Sequence, residues 1–189
     1  MKKLAFILSL FLCTTAWAQW HIEVGVGVSQ INSPYPETGA GIGGFAGAGY
    51  RISLVDKLGL DPMIQISWQG KESYGALYAK LPILVSYRIA RFELGAGPYA
   101  SYGLWDHKNP ERYYDAPASG TDYNPWARSA FGYFKRFDMG ISARICYHLE
   151  RAFIGLEGSY GLLDIAQKDM SKPFNAHTMG ASLIAGFNF

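Results

Sequence analysis

LYAKLPILVSYRI, residues 77–89, decides the fold, because its residues alternate in character. One set of alternate positions is apolar throughout: Leu77, Ala79, Leu81, Ile83, Val85, Tyr87 and Ile89. Both charged residues, Lys80 and Arg88, belong to the other set. Successive side chains of a β-strand point to opposite faces of the sheet. The segment is therefore predicted to be a strand with one wholly apolar face.

The same period of two recurs along the chain and indicates strands rather than helices. We predict eight strands, at about residues 20–30, 40–54, 60–69, 76–89, 92–104, 135–148, 153–164 and 177–189. No run after residue 18 approaches the ~20 apolar residues that a transmembrane helix needs. The apolar face carries no charged residue in any of these segments. The opposite face carries a lumen charge network of four acidic and four basic residues: Glu23, Arg51, Lys80, Arg88, Glu93, Asp138, Arg144 and Glu157.

A soluble barrel shows the reverse arrangement, with its apolar side chains inside. A charge that faces lipid at mid-bilayer costs roughly 2–4 kcal/mol, so the absence of charge from one face of eight segments is informative. We therefore predict an all-β fold, an eight-stranded antiparallel up-and-down transmembrane β-barrel. Its long and short connections alternate, starting with a long one. Because outer-membrane barrels place short turns in the periplasm and long loops outside, both termini are expected in the periplasm.

The N-terminal residues indicate export. Lys2 and Lys3 precede an apolar run, and Ala16 and Ala18 are small residues of the kind that signal peptidase reads. We expect residues 1–18 to be a cleaved signal peptide and residues 19–189 to form one outer-membrane β-barrel domain. The sequence has 17 lysine and arginine residues and 15 acidic residues. Without Lys2 and Lys3 the two numbers are equal, so the net charge is about zero and no nucleic-acid partner is predicted. Cys146 is then the single cysteine and cannot form an internal disulfide.

The C-terminal stretch alternates in the same way and ends with the aromatic residues Phe187 and Phe189. Such an ending is typical of the C-terminal assembly signal of outer-membrane barrels, although an ordinary last strand of a soluble sheet is the alternative. We expect the barrel assembly machinery to bind it during insertion. The predicted location is the bacterial outer membrane, where the partners of the barrel wall are membrane lipid and lipopolysaccharide.

No motif in the chain predicts catalysis, a metal or a cofactor. Residues 39–44 fit the pattern GxGxxG, but no helix is predicted after them to hold a pyrophosphate. His107, His148 and His177 lie near predicted strand ends without the spacing of a metal site. The lumen charges are interpreted as a plug of salt bridges, since an eight-stranded barrel is just wide enough for side chains to fill it. We predict that the protein is not an enzyme and has no cofactor.

The longest predicted loop, between Trp105 and Phe134, is the candidate surface-binding loop. It is rich in aromatic and arginine side chains, which binding surfaces favour. The candidate residues are Tyr113, Tyr114, Tyr123, Trp126 and Arg128. Loops of this length are usually functional or disordered. The alternative is that these aromatic residues extend the barrel or lie at the lipid headgroups.

Four motifs occur in the order of the predicted strands. Ala79–Arg88 contains a proline-isoleucine-leucine core, and Gly95–Tyr99 contains a glycine-proline-tyrosine run. Phe137–Ile141 and Ser159–Ile165 follow. These motifs resemble strands four to seven of the PorT-like outer-membrane β-barrel family, which is common in Bacteroidetes. The resemblance implies the eight-stranded fold, and one branch of that family assists secretion across the outer membrane.

Three functional hypotheses follow. The first is a non-enzymatic outer-membrane β-barrel protein that has a structural role or binds a surface ligand through its extracellular loops. The second, implied by the resemblance, is an accessory component of an outer-membrane protein secretion system with a secretion partner. The third is a lipid-modifying outer-membrane enzyme. Its catalytic groups would be recognised by their geometry and not by their spacing in the sequence.

Overall fold

A computed structural model of the chain describes residues 18–32, 40–70, 75–106, 131, 134–166 and 175–189. Within them the chain forms eight strands: β1 (Ala18–Asn32), β2 (Gly41–Val55), β3 (Leu58–Gln69), β4 (Ala76–Ile89), β5 (Phe92–Asp106), β6 (Phe137–His148), β7 (Ala152–Gly161) and β8 (His177–Asn188). Consecutive strands pair antiparallel, and β1 also pairs with β8, which closes the barrel. The predicted fold class is confirmed. In these residues no helix is long and apolar enough to cross a membrane.

The predicted strands differ from the observed ones only near their ends, and β7 shows the reason. We expected it to reach residue 164, but it ends at Gly161. The N–H groups of Leu162 and Leu163 both donate to the carbonyl of Met139, at 2.8 and 3.3 Å. The two residues thus share one carbonyl acceptor, and the regular hydrogen-bond ladder between β6 and β7 ends there. Hydropathy cannot reveal this end of the strand, because both residues are leucine.

Short turns join β2 to β3, β4 to β5 and β6 to β7 at one end of the barrel, which we call the turn end. Ala90 in the second turn has a φ of 53°, a conformation that disfavours a residue with a Cβ. The longer connections leave the opposite end, the loop end, and most of their residues lie outside the described ranges. The predicted signal peptide lies outside them too, except that Ala18 begins β1.

Apolar side chains cover the outside of the barrel wall. One row of cross-strand neighbours runs over five strands: Leu94, Ile145, Leu156, Leu183 and Val26. Their exposed fractions lie between 42% and 66%. Aromatic pairs border this surface at both ends, with Trp20 and Tyr50 (4.8 Å between ring centroids) at the turn end and Trp68 and Trp105 (6.0 Å) at the loop end. This pattern is typical of the interfacial girdles of membrane barrels.

The inside of the barrel contains an apolar layer as well as charges. Cys146, Phe153 and Ile184 form a buried cluster, and the ring of Phe45 packs against it. A Cβ at Gly25 would overlap the ring of Phe45, so glycine is needed at this close approach. Parity also places these side chains inside, whereas the predicted lumen set consists of charged residues only.

Candidate functional site

Glu93 lies at the centre of a buried ion cluster at the turn end. Its Oε2 accepts hydrogen bonds from Nη2 and Nε of Arg88, at 2.8 and 3.1 Å, and it also pairs with Arg51. His148 Nε2 lies 3.2 Å from the same oxygen. Asp61 lies 3.7 Å from Arg51. The cavity among these groups is about 10 Å³, which is roughly the room that one water needs. Side chains therefore fill this end of the lumen.

Arg144 joins this cluster to the middle of the lumen. Its Nη1 donates to Glu23 Oε2 at 3.0 Å, and its Nη2 lies 3.8 Å from Asp61 and 3.9 Å from Glu93. The other oxygen of Glu23 accepts a hydrogen bond from Gln65 Nε2 at 2.9 Å. These side chains come from strands on several sides of the barrel. The contacts therefore tie the wall together across the lumen.

A second polar cluster occupies the loop-end half of the lumen. Lys80 Nζ lies 3.2 Å from Glu157 Oε1 and 4.6 Å from the ring centroid of Tyr99. The Tyr99 hydroxyl donates to Asp138 Oδ2 at 3.1 Å, and Thr178 Oγ1 donates to the same oxygen at 2.6 Å. No lysine or arginine in the described parts of the chain forms an ion pair with Asp138. Two hydroxyl groups hold this carboxylate.

The structure places all eight predicted lumen residues inside the barrel, with Arg88 the most exposed of them. The predicted set lacks an acidic residue and a histidine of the lumen, Asp61 and His21, which are 1% and 4% exposed. Parity could have found Asp61, because its neighbour Leu60 belongs to the apolar face. With Asp61 the lumen holds five acidic side chains rather than the expected four.

Asp164 fixes the backbone at the loop end, outside the strands. Its Oδ1 accepts hydrogen bonds from the N–H groups of Ala176 and Ala166, at 3.0 and 3.1 Å. These bonds, first that from Ala176, hold the pKa of Asp164 below its usual range. A small apolar cluster is buried beside them: Ile31, Phe134, Ile165, Ala166 and Ala176. The ends of three long connections thus meet at one place.

The five candidate residues of the third long loop lie outside the described residues, but the return of that loop to the barrel is described. The ring of Phe131 packs edge-on against Tyr78, with centroids 5.9 Å apart. The guanidinium of Arg136 lies 4.6 Å from the Phe131 ring centroid, and the Arg136 carbonyl accepts a hydrogen bond from the N–H of Gly103 at 2.7 Å. The barrel therefore holds the returning end of the loop in place.

The two C-terminal aromatic residues lie together at the turn end. Phe187 and Phe189 are 39% and 70% exposed, and their ring centroids are 5.3 Å apart. The N–H of Phe189 donates to the carbonyl of Trp20 at 2.8 Å, so β1 fixes the end of the chain. Both rings are accessible from outside the barrel.

In the described part of the chain, His148 and His177 contact groups other than serine. His148 contacts Glu93 and lies 3.4 Å from Arg88, while His177 Nδ1 lies 3.1 Å from the carbonyl of Gly161. His107 lies outside the described residues. Where the chain is described, no group of three or more histidine, cysteine or carboxylate side chains could hold a metal. Residues 41–44 of the GxGxxG match lie in β2, and a strand cannot present the helix N-terminus that binds a pyrophosphate.

Comparison with known proteins shows similarity of fold without close similarity of sequence. No protein-family model and no curated protein matches the chain. The crystal structure of Neisserial surface protein A superposes with a TM-score of 0.53, at 11% identity over 90% of this chain and 97% of the other. The fold is that of the small outer-membrane β-barrels. Ail of Yersinia pestis also matches, with a TM-score of 0.47 and 13% identity over 91% of this chain and 99% of the other.

Proposed function

We propose that the chain is a non-enzymatic protein of the bacterial outer membrane that presents its long loops to a surface ligand. The inverted barrel supports the membrane location, because an apolar exterior surrounds an interior of paired charges. Membrane lipid and lipopolysaccharide would then contact the wall, and the exposed Phe187 and Phe189 would be bound by the barrel assembly machinery. Side chains fill the turn end of the lumen, so transport of a solute through it is not part of the proposal.

The anchored third loop carries the binding part of the proposal. Its returning end is tied to the barrel through Phe131 and Arg136, which fixes the position of that end. A fixed base reduces the conformational entropy that binding would otherwise cost. The residues that would contact the ligand are aromatic or arginine: Tyr113, Tyr114, Tyr123, Trp126 and Arg128. Ligands consistent with this composition are glycans, lipopolysaccharide sugars and protein surfaces.

The first experiment tests membrane insertion. Purified outer membranes would be run unboiled and boiled on a denaturing gel. We expect the protein in the outer-membrane fraction, with a faster band before boiling because the folded barrel is compact. A soluble periplasmic protein without a band shift would refute the location.

The second experiment tests the loop. Residues 109–127 would be replaced by a glycine-serine segment of equal length, and the inserted barrel would be screened against glycan and lipopolysaccharide arrays. We expect the gel shift to persist and binding to be lost. Tyr87→Ala, on the outer wall near the turn end, is the matched control and should keep binding. Binding that survives the replacement would contradict the role of the loop.

A secretion role is the second candidate, supported only by the four PorT-like motifs, which begin on β4, β5, β6 and β7. It predicts that partner proteins co-purify with the barrel in mild detergent after cross-linking, and repeated isolation of the barrel alone would count against it. A lipid-modifying enzyme is the third candidate. Its test is the mass spectrum of lipopolysaccharide from a deletion strain, which such an enzyme would change.

A further inference from the structure

The loop-end half of the lumen contains a small polar vestibule. Its volume is about 40 Å³, whereas a single water needs roughly 10–15 Å³. Its polar lining includes Ser29, Gln65, Lys80, Glu157, Ser159 and Ser182. The vestibule can therefore hold an ion or a few waters, but not a large organic molecule.

Two fully buried oxygen atoms in this lining have no hydrogen-bond donor. Gln65 is 0% exposed, and its Nε2 donates a hydrogen bond to Glu23. The Oε1 atom of Gln65 therefore points away from Glu23. Glu157 is 6% exposed, and only its Oε1 contacts Lys80. Gln65 Oε1 and Glu157 Oε2 are both without a partner in the described structure. Buried acceptors without a donor are rare and costly, so a donor or a cation is expected beside them.

The balance of charge differs between the two halves of the lumen. In the middle and at the turn end, three arginines face three carboxylates: Arg51, Arg88 and Arg144 face Glu23, Asp61 and Glu93. At the loop end, Lys80 pairs with Glu157, and no lysine or arginine among the described side chains pairs with Asp138. Among the described side chains, one carboxylate is thus in excess, in the half that contains the vestibule. A buried charge without a counter-charge is strongly destabilising.

We propose that the vestibule binds one small monovalent cation, an alkali-metal ion or ammonium, at Glu157 Oε2 and Gln65 Oε1. A cation there contacts both unpartnered oxygens and adds one positive charge to the half of the lumen that has the excess carboxylate. Carboxylate and amide oxygens are suitable ligands for hard cations. A divalent ion fits less well, because the ammonium group of Lys80 lies beside the other oxygen of Glu157. The proposal concerns the lumen alone and is independent of any surface ligand.

The test compares salts of equal ionic strength. The full chain would be refolded in zwitterionic micelles and unfolded with urea in sodium, potassium, ammonium or N-methylglucamine chloride. The last cation is too large for the vestibule. We expect the small cations to raise the unfolding midpoint, with an effect that saturates with concentration, because they bind only the folded state. Glu157→Gln should abolish the difference between salts. Glu150→Gln, in an exposed turn, is the matched control and should keep it.

A second measurement covers the case in which Glu157→Gln does not fold. The side-chain amide signal of Gln65 in the native barrel would be followed by NMR during titration with ammonium or N-methylglucamine. It should shift and saturate with ammonium alone. Equal unfolding midpoints in all four salts would overturn the proposal. They would mean that water, a protonated carboxyl or a basic side chain of a loop satisfies the two buried oxygens instead of a cation. A salt difference that survives Glu157→Gln would overturn it too.

Discussion

Replacing Arg144 with methionine should lower the free energy of unfolding by about 3–5 kcal/mol. Arg144 is 6% exposed, and its guanidinium lies 3.0 Å from Glu23 and 3.8 Å from Asp61. Methionine keeps most of the apolar stem and removes the charge. Glu23 then keeps only its hydrogen bond from Gln65. The loss is large because a buried carboxylate is left without its cation.

The double variant Arg144→Met with Glu23→Gln tests this cause. Replacing both partners of a buried ion pair by neutral groups often costs little, since no charge is left behind. We expect the double variant to be more stable than Arg144→Met alone, with a coupling free energy of about 0.5–3 kcal/mol. The assay is urea unfolding of the refolded barrel in lipid vesicles, followed by tryptophan fluorescence.

Arg151→Met is the matched control, because Arg151 is exposed in a short turn. It should change the free energy of unfolding by no more than about 0.5 kcal/mol. The reasoning would be refuted if Arg144→Met cost less than about 1 kcal/mol, a value usual for exposed ion pairs. It would also be refuted if the effects of Arg144→Met and Glu23→Gln simply added, because the two charges would then not interact.

Three further predictions concern the turn, the wall and the loop end. Ala90→Gly should raise the free energy of unfolding, measured with urea, by about 0.5–1 kcal/mol. Glycine adopts the left-handed conformation without strain, although the greater backbone entropy of glycine in the unfolded chain cancels part of this gain. Ile145→Arg should lower stability in vesicles by about 2–4 kcal/mol, because it places a charge against lipid. Asp164→Asn should speed hydrogen exchange at the Ala176 amide. Because the pKa of Asp164 is lowered in the folded protein, the ionised carboxylate stabilises the fold at a pH above the usual pKa of aspartate. This stabilisation is lost as the pH falls through the lowered pKa. Asp164→Asn should not show that loss of stability in acid.

Each of these has a contradicting outcome. A loss of stability in Ala90→Gly would show that the turn is not strained. Ile145→Val serves as the control for the wall, and an arginine tolerated as well as valine would place that surface in water. For the loop end, an unchanged exchange rate at Ala176 in Asp164→Asn would mean that its N–H is protected by something other than the carboxylate.

The alternation of residues determined the strands and the face of each side chain. A barrel whose two faces meet different media cannot shift its register by one residue without exposing charge to lipid. Val26 and Leu183 could therefore be assigned outward, and Glu23 inward, before any contact was known. Strand ends were less predictable, as the shared acceptor at Met139 shows, because a bend depends on backbone hydrogen bonds and not on hydropathy.

Only the tertiary structure decided which charges pair. Arg144 and Glu157 are register neighbours on β6 and β7, which favours a salt bridge between them. Instead Arg144 reaches Glu23, 121 positions away, and Glu157 reaches Lys80 across the lumen. Parity assigns a side chain to the inside of a barrel, but its partner depends on how far the closed sheet is sheared and how wide it is. For that reason the sequence alone determined the inverted barrel, while the vestibule and the unpartnered oxygens of Gln65 and Glu157 in its lining became visible only when the sheet closed.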